Sequence, residues 1–196
     1  MSYIIEILRQ EHRNIEKLLR VMDREMSVFD RGGRPNDEVL IAAIDYFKDY
    51  PDTCHHPKED FIFEKFKARD AAAAASIGDL EAEHQEEARR LRRVAQTVEA
   101  VLKDQDLERN TVSNIIHEFI DRERLHMTME ERIVFPAVLK ALRPSDWAEI
   151  ALKLADREDT LSQPRLEQKF STLRRKILEL EDEAEAARRP AGPQNE

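Results

Sequence analysis

A chain of 196 residues, of which 41% are hydrophobic, can bury one sizeable core and fits one compact unit better than two. Charged residues make up 37% of the sequence and only 4 residues are glycine, so helix formers dominate and an all-α fold is favoured. The formal net charge of −9 argues against the clustered Lys and Arg that nucleic acid requires, so no nucleic-acid partner is expected.

Neither a membrane nor an oxidising compartment is indicated. No stretch approaches about 18 consecutive apolar residues, and residues 1–12 lack the basic, apolar and small-residue order of a secretion signal. Cys54 is the only cysteine, so it cannot form a disulfide within the chain. The sequence predicts a soluble cytoplasmic protein without a membrane partner.

The first helix is predicted from apolar residues at helical spacing, and its pattern stops before the turn signal Gly32-Gly33-Arg34-Pro35. A second helix follows, and its apolar period continues to Phe66. Pro51 and Pro57 fall inside this second helix. Because proline removes a backbone donor and clashes with the preceding turn, we expect a kink or a break at residues 50–57.

Two further helices complete the predicted bundle. The third spans about residues 77–102, and the fourth runs from near Thr111 to the residues before Pro144. Because short connections join four helices of similar length, residues 1–142 are expected to form an antiparallel, up-down-up-down four-helix bundle.

A C-terminal helical extension is predicted at residues 145–189, followed by a disordered tail at residues 190–196. Ser145 can cap a short first helix of this extension. A heptad seam about two repeats long follows, made by Leu166, Phe170, Leu173, Ile177 and Leu180. The seam can join two copies of the chain in a homodimer or pack as a fifth helix on its own bundle, and the sequence leaves both open.

The histidines follow a repeated pattern. Glu11-His12 in the first helix is echoed by Glu83-His84 in the third. His55-x-x-x-Glu59 in the second helix is echoed by His126-x-x-x-Glu130 in the fourth. The chain therefore resembles two helix pairs, each supplying one His and then one His-x-x-x-Glu.

This spacing has a physical reason. Residues four apart on an α-helix differ by about 40° around the axis, so an imidazole and a carboxylate at i and i+4 point into the same space. In an antiparallel bundle, positions near the start of one helix and before the end of the next fall at comparable depth. We therefore predict that six side chains converge as ligands of a metal pair: His12, His55, Glu59, His84, His126 and Glu130.

The ligand types indicate which metals fit. Imidazole suits iron, copper, nickel and zinc, whereas a site made only of oxygen ligands would suit magnesium or calcium. Two carboxylates offset only part of the charge of a divalent pair, and the remainder invites a bridging hydroxide or oxide. The two glutamates are the natural bridges between the metals.

Other side chains near the motifs are weaker candidates. His56 with Asp60 forms a rival i,i+4 pair, which a proline kink could rotate into the ligand position. His117 lies half a turn out from the fourth-helix ligands, so it is expected to face away from them and to be solvated. Cys54 is a lone thiol and is expected to be structural or incidental.

These motifs resemble the hemerythrin-type cation-binding (HHE) domain over roughly residues 1–142. The resemblance is carried by Gln10-Glu11-His12, His55-His56-Pro57-Lys58-Glu59-Asp60, Glu83-His84, and His126-Met127-Thr128-Met129-Glu130-Glu131 with Val134-Phe135-Pro136. It implies a non-haem di-iron centre, that is, two iron ions with a bridging oxo or hydroxo group, ligated from all four helices. It also implies binding of dioxygen, sensing of oxygen or iron, or handling of nitric oxide and peroxide. Ferritin-like bundles instead rely on Glu-x-x-His, the reverse order with a spacing of three, to supply their inward ligands.

The sequence departs from the oxygen-carrying hemerythrins at one position. Those proteins have a second histidine four residues after the one on the third helix, where this sequence has Ala88. One imidazole fewer leaves more coordination positions to water or to an exogenous ligand. The ligand set is similar to that of di-iron proteins linked to iron–sulfur cluster repair and nitric oxide stress, although their cysteine-bearing N-terminal segment has no counterpart here.

The sequence therefore favours a di-iron protein that binds or reacts with a small diatomic molecule or peroxide, in oxygen handling, sensing or redox stress defence. In this hypothesis the reduced iron pair takes up the small molecule at an open position and becomes oxidised. Two alternatives stay open. One is an enzyme that consumes peroxide or nitric oxide, and the other is a sensor or interaction module whose metal chiefly supplies folding energy. A binding protein is preferred to an enzyme.

Overall fold

The computed structural model describes residues 2–161 and 163–188, which form helices without any β-strand among them. The predicted all-α fold is confirmed. The nine α-helices within these ranges are α1 (Tyr3–Asp30), α2 (Asp37–Tyr50), α3 (His56–Arg69), α4 (Ala71–Ile77), α5 (Leu80–Leu102), α6 (Arg109–Met129), α7 (Phe135–Ala141), α8 (Pro144–Leu161) and α9 (Gln163–Arg188). The tail predicted to be disordered, residues 190–196, lies outside the described residues. In the described part of the chain, every helix is too short or too polar to cross a membrane.

Four rods form the bundle in the predicted up-down-up-down order. The first is α1 and the third is α5, while α2 with α3 and α6 with α7 make the second and fourth. α1 packs against α2 and α6, and α5 packs against the same two helices. Rods that follow one another along the chain are therefore neighbours in space, as short connections require.

A π-helical turn at Pro51–His55 joins α2 to α3. Its hydrogen bonds span five residues instead of four, as shown by the N–H of His56, which donates to the carbonyl of Pro51. Pro57 follows two residues after the turn and has no N–H to donate to the carbonyl four residues earlier. The turn lies within residues 50–57, where the prolines predict a kink or a break.

A second π-helical turn, at Glu130–Val134, joins α6 to α7, and the N–H of Phe135 donates to the carbonyl of Glu130. Pro136 stands two residues after this turn, at the same offset as the proline after the first turn. The apolar pattern predicts one uninterrupted fourth helix, and that prediction is wrong at this turn. The signal in the sequence is Pro136, which cannot donate a hydrogen bond to the preceding turn.

The third rod begins later than predicted. Its expected start, Ile77, is instead the last residue of the short helix α4. Gly78 follows with a φ of +110°, a conformation that side chains with a Cβ rarely adopt. Asp79 then caps α5, because its side chain accepts a hydrogen bond from the N–H of Ala82 at 3.3 Å.

The hydrophobic core consists of two clusters with a polar layer between them. On α1, Leu8 belongs to one cluster and Ile15 to the other, and His12 lies between them. On the second rod the same change of cluster occurs between Cys54 and Ile62. The predicted ligands therefore lie in the middle of the bundle, with apolar packing above and below them.

The C-terminal extension packs against the bundle of its own chain. α8 lies on α3, and α9 lies along α1 and α2. Phe170 and Ile177 of the predicted heptad seam are buried in the core cluster that also holds Tyr46 and Tyr50. The structure thus uses the seam as a fifth helix within one chain, which is one of the two interpretations left open. The division into a bundle domain at residues 1–142 and an extension at residues 145–189 stays a prediction.

Candidate metal centre

The six predicted ligands come together in the polar layer. They form two overlapping groups, and within each group one nitrogen or oxygen atom from every residue lies within 4.8 Å of the corresponding atoms of the others. One group is His12, His55, Glu59 and Glu130, and the other is Glu59, His84, His126 and Glu130. All six side chains are buried, and the two glutamates belong to both groups. This is the arrangement of two adjacent cation positions that share two carboxylates.

The π-helical turns adjust which side chains reach this layer. Tyr50 before the first turn and Ile62 after it are both buried, yet an uninterrupted α-helix would set them about 120° apart. The extra residue in the π turn removes about 100° of that difference. His55 ends this turn and Glu130 begins the second one, so both turns border the cluster.

Glu59 faces imidazoles of both groups. Its Oε1 lies 3.2 Å from Nε2 of His55 and 3.5 Å from Nε2 of His12. Its Oε2 lies 3.5 Å from Nε2 of His84. One oxygen is thus directed to each group, as a bridging carboxylate requires.

Glu130 is arranged in the same way. Its Oε2 lies 3.2 Å from Nε2 of His12, whereas its Oε1 lies 3.2 Å from Nε2 of His126 and 4.0 Å from Nε2 of His84. Every imidazole of the cluster therefore presents Nε2 to the two glutamates.

The opposite ring nitrogen of each imidazole faces a carboxylate outside the cluster. The distances from Nδ1 are 3.0 Å from His12 to Glu131, 2.8 Å from His55 to Glu11, 3.5 Å from His84 to Asp60 and 3.2 Å from His126 to Glu87. A carboxylate at this nitrogen holds the ring in place and favours the tautomer whose other nitrogen can bind a metal. Such outer carboxylates typically accompany metal-binding histidines.

Most donor atoms of the cluster have no hydrogen-bond partner. Both oxygens of Glu59 and Glu130, and Nε2 of His12, His84 and His126, are buried and unpartnered in the described structure. A buried polar atom left in this way costs about 1–3 kcal/mol. A pair of cations would accept the lone pairs of all of these atoms. The residues present therefore fit a dinuclear metal site, and their mixture of imidazole and carboxylate suits iron, manganese or zinc.

The glutamates set the charge of three imidazoles. Burial lowers the pKa of His12, but the carboxylates of Glu130 and Glu59, at 3.2 and 3.5 Å from its Nε2, outweigh it and raise the pKa to about 10. Against the same effect of burial, Asp60 and Glu130 raise the pKa of His84 to about 11, and Glu130 raises that of His126 to about 9. A metal that takes these positions must therefore displace protons at neutral pH.

Among the remaining titratable groups of the layer, some have lowered pKa values and others have raised ones. Burial lowers the pKa of His55 to about 3, so this imidazole is neutral. Burial raises the pKa of Glu130, but His126 and His12 outweigh it, and the pKa lies well below its usual range. In contrast, burial and repulsion from Glu123 raise the pKa of Glu87 to about 9, and burial raises that of Glu123 to about 7.

The other candidates of the sequence analysis lie outside the two groups. His56 stacks on the ring of His84, and Asp60 lies beside the outer nitrogen of that same imidazole. His117 faces away from the cluster as predicted, but it is hydrogen-bonded to Asp30 at 2.9 Å instead of being merely solvated. Cys54 is buried in the core.

Sequence reasoning missed the outer carboxylates and one buried cation. Glu11 and Glu131 are direct neighbours of ligands in sequence, and Glu87 lies three residues after His84. That spacing of three places Glu87 on the ligand face of α5, which is the signal that could have identified it. Lys58, which is buried against Glu11 at 2.8 Å, has no such signal.

Two openings lead from the surface toward the cluster. A broad cleft of about 580 Å³ between α1 and the fourth rod reaches His12. Its other lining residues are Arg13, Glu16, Lys17, Arg20, Arg124, Met127, Thr128, Glu131 and Arg132. A narrow cavity of about 90 Å³ lies on the side of His84 and His126, and its polar lining consists of Lys48, Asp52, His56, Glu87, Arg92 and Glu123.

An antiparallel helical bundle with a buried histidine and glutamate cluster defines a metal-binding bundle protein. The family model described as the hemerythrin HHE cation binding domain matches residues 3–138. The chain therefore belongs to the hemerythrin HHE cation-binding family, and its cluster of histidines and glutamates can bind metal. No curated protein and no solved structure was found to match the chain.

Proposed function

We propose that the chain is a non-haem di-iron protein that binds or reacts with a small molecule, either a diatomic such as dioxygen or nitric oxide, or peroxide. Its proposed ligands are His12 and His55 on one iron, His84 and His126 on the other, and Glu59 and Glu130 between them. One observation carries the proposal: buried, unpartnered donor atoms from all four rods face a common space. In this proposal the protein acts in oxygen handling, sensing or redox stress defence in the cytoplasm.

The chemistry of the proposed site follows from its donors. A bound iron pair would supply one-electron redox chemistry and open coordination positions. The chain holds the four imidazoles through outer carboxylates, and it surrounds the layer with apolar side chains on both sides. Ala88 lines the narrow cavity near the His84 group, where an additional imidazole would have filled space. This supports a position open to an exogenous ligand or to water.

The test is the metal content of protein purified without added metal, together with its absorption spectra when reduced and after exposure to air. His126→Gln is expected to lower the iron content, whereas His117→Gln, a change of the same kind on the same helix but outside the cluster, is expected to leave it unchanged. Reduced protein is then mixed with dioxygen, nitric oxide or peroxide in a stopped-flow spectrometer. No new absorption band with any of them would refute the small-molecule function.

An enzyme that consumes peroxide or nitric oxide is distinguished from a binding protein by turnover. Many cycles per iron pair in a steady-state assay would establish the enzyme, and a single stoichiometric reaction would rule it out. Of the two, we prefer the binding protein.

One observation favours a sensor function as the second candidate. The ring of Phe170 on α9 contacts that of Tyr50 with centroids 5.2 Å apart, and the ring of Tyr50 stacks on His55 at 6.5 Å. A shift of the His55 ring on metal binding would therefore reach α9 through the ring of Tyr50. Faster hydrogen exchange of α9 after metal removal would support a sensor, and equal exchange would count against it.

We also propose a homodimer through the helix at Leu166–Leu180. It would have to use faces of α9 other than its buried seam. Sedimentation measures the oligomeric state.

A further inference from the structure

The two openings toward the cluster differ in charge. The broad cleft on the His12 side carries five basic side chains and only two acidic ones, Glu16 and Glu131. In the narrow cavity, the basic side chains Lys48 and Arg92 are exposed at its rim, while the carboxyl groups of Glu87 and Glu123 are buried inside it. A divalent cation is repelled by the first surface, whereas the second opening offers it carboxyl oxygens and an imidazole as donors.

We propose that His56 and Glu87 form a transit site, at which a divalent cation binds on its way from solvent to the buried cluster. Asp52 and Glu123 line the same narrow cavity. The proposal deepens the proposed function and rests on its metal binding. It assigns a role to His56, whose position beside the ligands is otherwise unexplained.

The spacing of the two main donors fits a shared ion. Nε2 of His56 lies 3.6 Å from Oε2 of Glu87. Two ligand atoms, each about 2.0–2.2 Å from one ion, are separated by about 3.0–3.6 Å. Nδ1 of His56 is hydrogen-bonded to Asp52 at 3.2 Å, which leaves Nε2 available for a cation.

Both donors also touch the cluster. The ring of His56 stacks on that of His84 with centroids 3.9 Å apart and an interplanar angle of 5°. Oε1 of Glu87 lies 3.2 Å from Nδ1 of His126 and has no hydrogen-bond partner. An ion held by His56 and Glu87 is therefore one side chain away from two of the proposed ligands.

The burial of the donors and their small number favour brief binding of a cation at this site over permanent binding. Glu87 is 4% exposed and Glu123 is 9% exposed, so little water competes with a cation for their carboxyl oxygens. The side chain of Asp52 is 67% exposed and can meet an ion arriving from solvent. Only two donors lie at a distance set for one ion, whereas each group of the cluster has four. An ion at the transit site is thus held more weakly and can move inward.

The experiment measures how fast the full-length protein takes up cobalt(II) after its metal has been removed with a chelator. Cobalt(II) bound to imidazole and carboxylate absorbs in the visible range, so both the rate and the final amount per chain are read in a stopped-flow spectrometer. The variants are His56→Gln and Asp52→Asn. The control is Asp121→Asn, which removes the same charge from an exposed position on α6 that lines neither opening.

We expect uptake to be slowed about tenfold in His56→Gln, because the transit site loses one of its two donors, while the final cobalt content stays that of the unsubstituted protein. Asp52→Asn is expected to slow uptake to a smaller extent, and Asp121→Asn not at all. Because Asp52 is exposed, its variant keeps the test valid if His56→Gln does not fold. Unchanged rates in both variants would overturn the proposal. So would a reduced final content at an unchanged rate, which would mean that His56 only supports His84. If the unsubstituted protein took up no cobalt, the proposed metal centre itself would fail.

Discussion

Glu11 and Lys58 form a buried ion pair behind the cluster. Oε2 of Glu11 lies 2.8 Å from Nδ1 of His55, and Oε1 accepts a hydrogen bond from Nζ of Lys58 at 2.8 Å. Lys58 also donates to the carbonyl of Cys54. Burial raises the pKa of Glu11 although Lys58 lowers it, so the loss of hydration outweighs the attraction within the pair. We therefore expect the pair to be costly to break but not strongly stabilising in itself.

Glu11→Leu removes the acceptor and leaves the Lys58 ammonium buried without a counter-charge. Breaking a buried pair from one side costs about 3–5 kcal/mol, so we expect the free energy of unfolding to fall by about that amount. Replacing both partners with apolar residues of similar size is often close to neutral. Glu11→Leu combined with Lys58→Met is therefore expected to recover most of the loss.

The assay is urea unfolding of the chelator-treated protein, followed by circular dichroism at neutral pH, for both single variants and the double variant. Glu131→Leu is the matched comparison, since Glu131 also accepts from a cluster imidazole but its side chain is 42% exposed. Loss of either outer carboxylate is expected to weaken metal binding by about 10–100-fold, whereas only Glu11→Leu strongly destabilises the fold. The reasoning is refuted if Glu11→Leu unfolds at the same urea concentration as the unsubstituted protein, or if the double variant is no more stable than Glu11→Leu.

Three further outcomes are expected. Metal binds neutral imidazoles, and three imidazoles of the cluster have pKa values raised to between about 9 and 11. Metal affinity should therefore rise with pH from about 6 to 9, and binding should release protons. Calorimetry in buffers of different ionisation enthalpy measures this release. In chelator-treated protein, the protonated imidazoles of His12, His84 and His126 stabilise the fold, and this contribution is fully present below about pH 6.5. The free energy of unfolding, measured by urea titration, should lose this contribution as pH rises through about 9 to 11. Phe170→Ala should lower the free energy of unfolding in urea by about 3–5 kcal/mol, because Phe170 is buried. Leu152→Ala, at a position 66% exposed, should change that free energy by less than about 0.5 kcal/mol. Equal effects of the two variants would contradict the packing of α9.

Local rules made much of this protein predictable from its sequence. Apolar residues at helical spacing predict each of the four rods, because the period of a helix depends only on its own backbone. The repeat of His12 in His84, and of His55-x-x-x-Glu59 in the fourth helix, singles out the same six residues that the structure brings together. A spacing of four places two side chains on one face of a helix whatever that helix packs against.

Local patterns in the sequence thus predict the four rods, their antiparallel order and the six residues that the structure brings together. The surroundings of these six residues depend on how the helices pack against one another. Glu11 meets His55 across 44 residues of chain, and no spacing rule connects positions on different helices. The heptad seam on α9 could equally bury its apolar residues on a second copy or on its own bundle, since the hydrophobic effect has no direction. Phe170 is buried against Tyr46 and Tyr50 because that groove of the same chain lies within its reach.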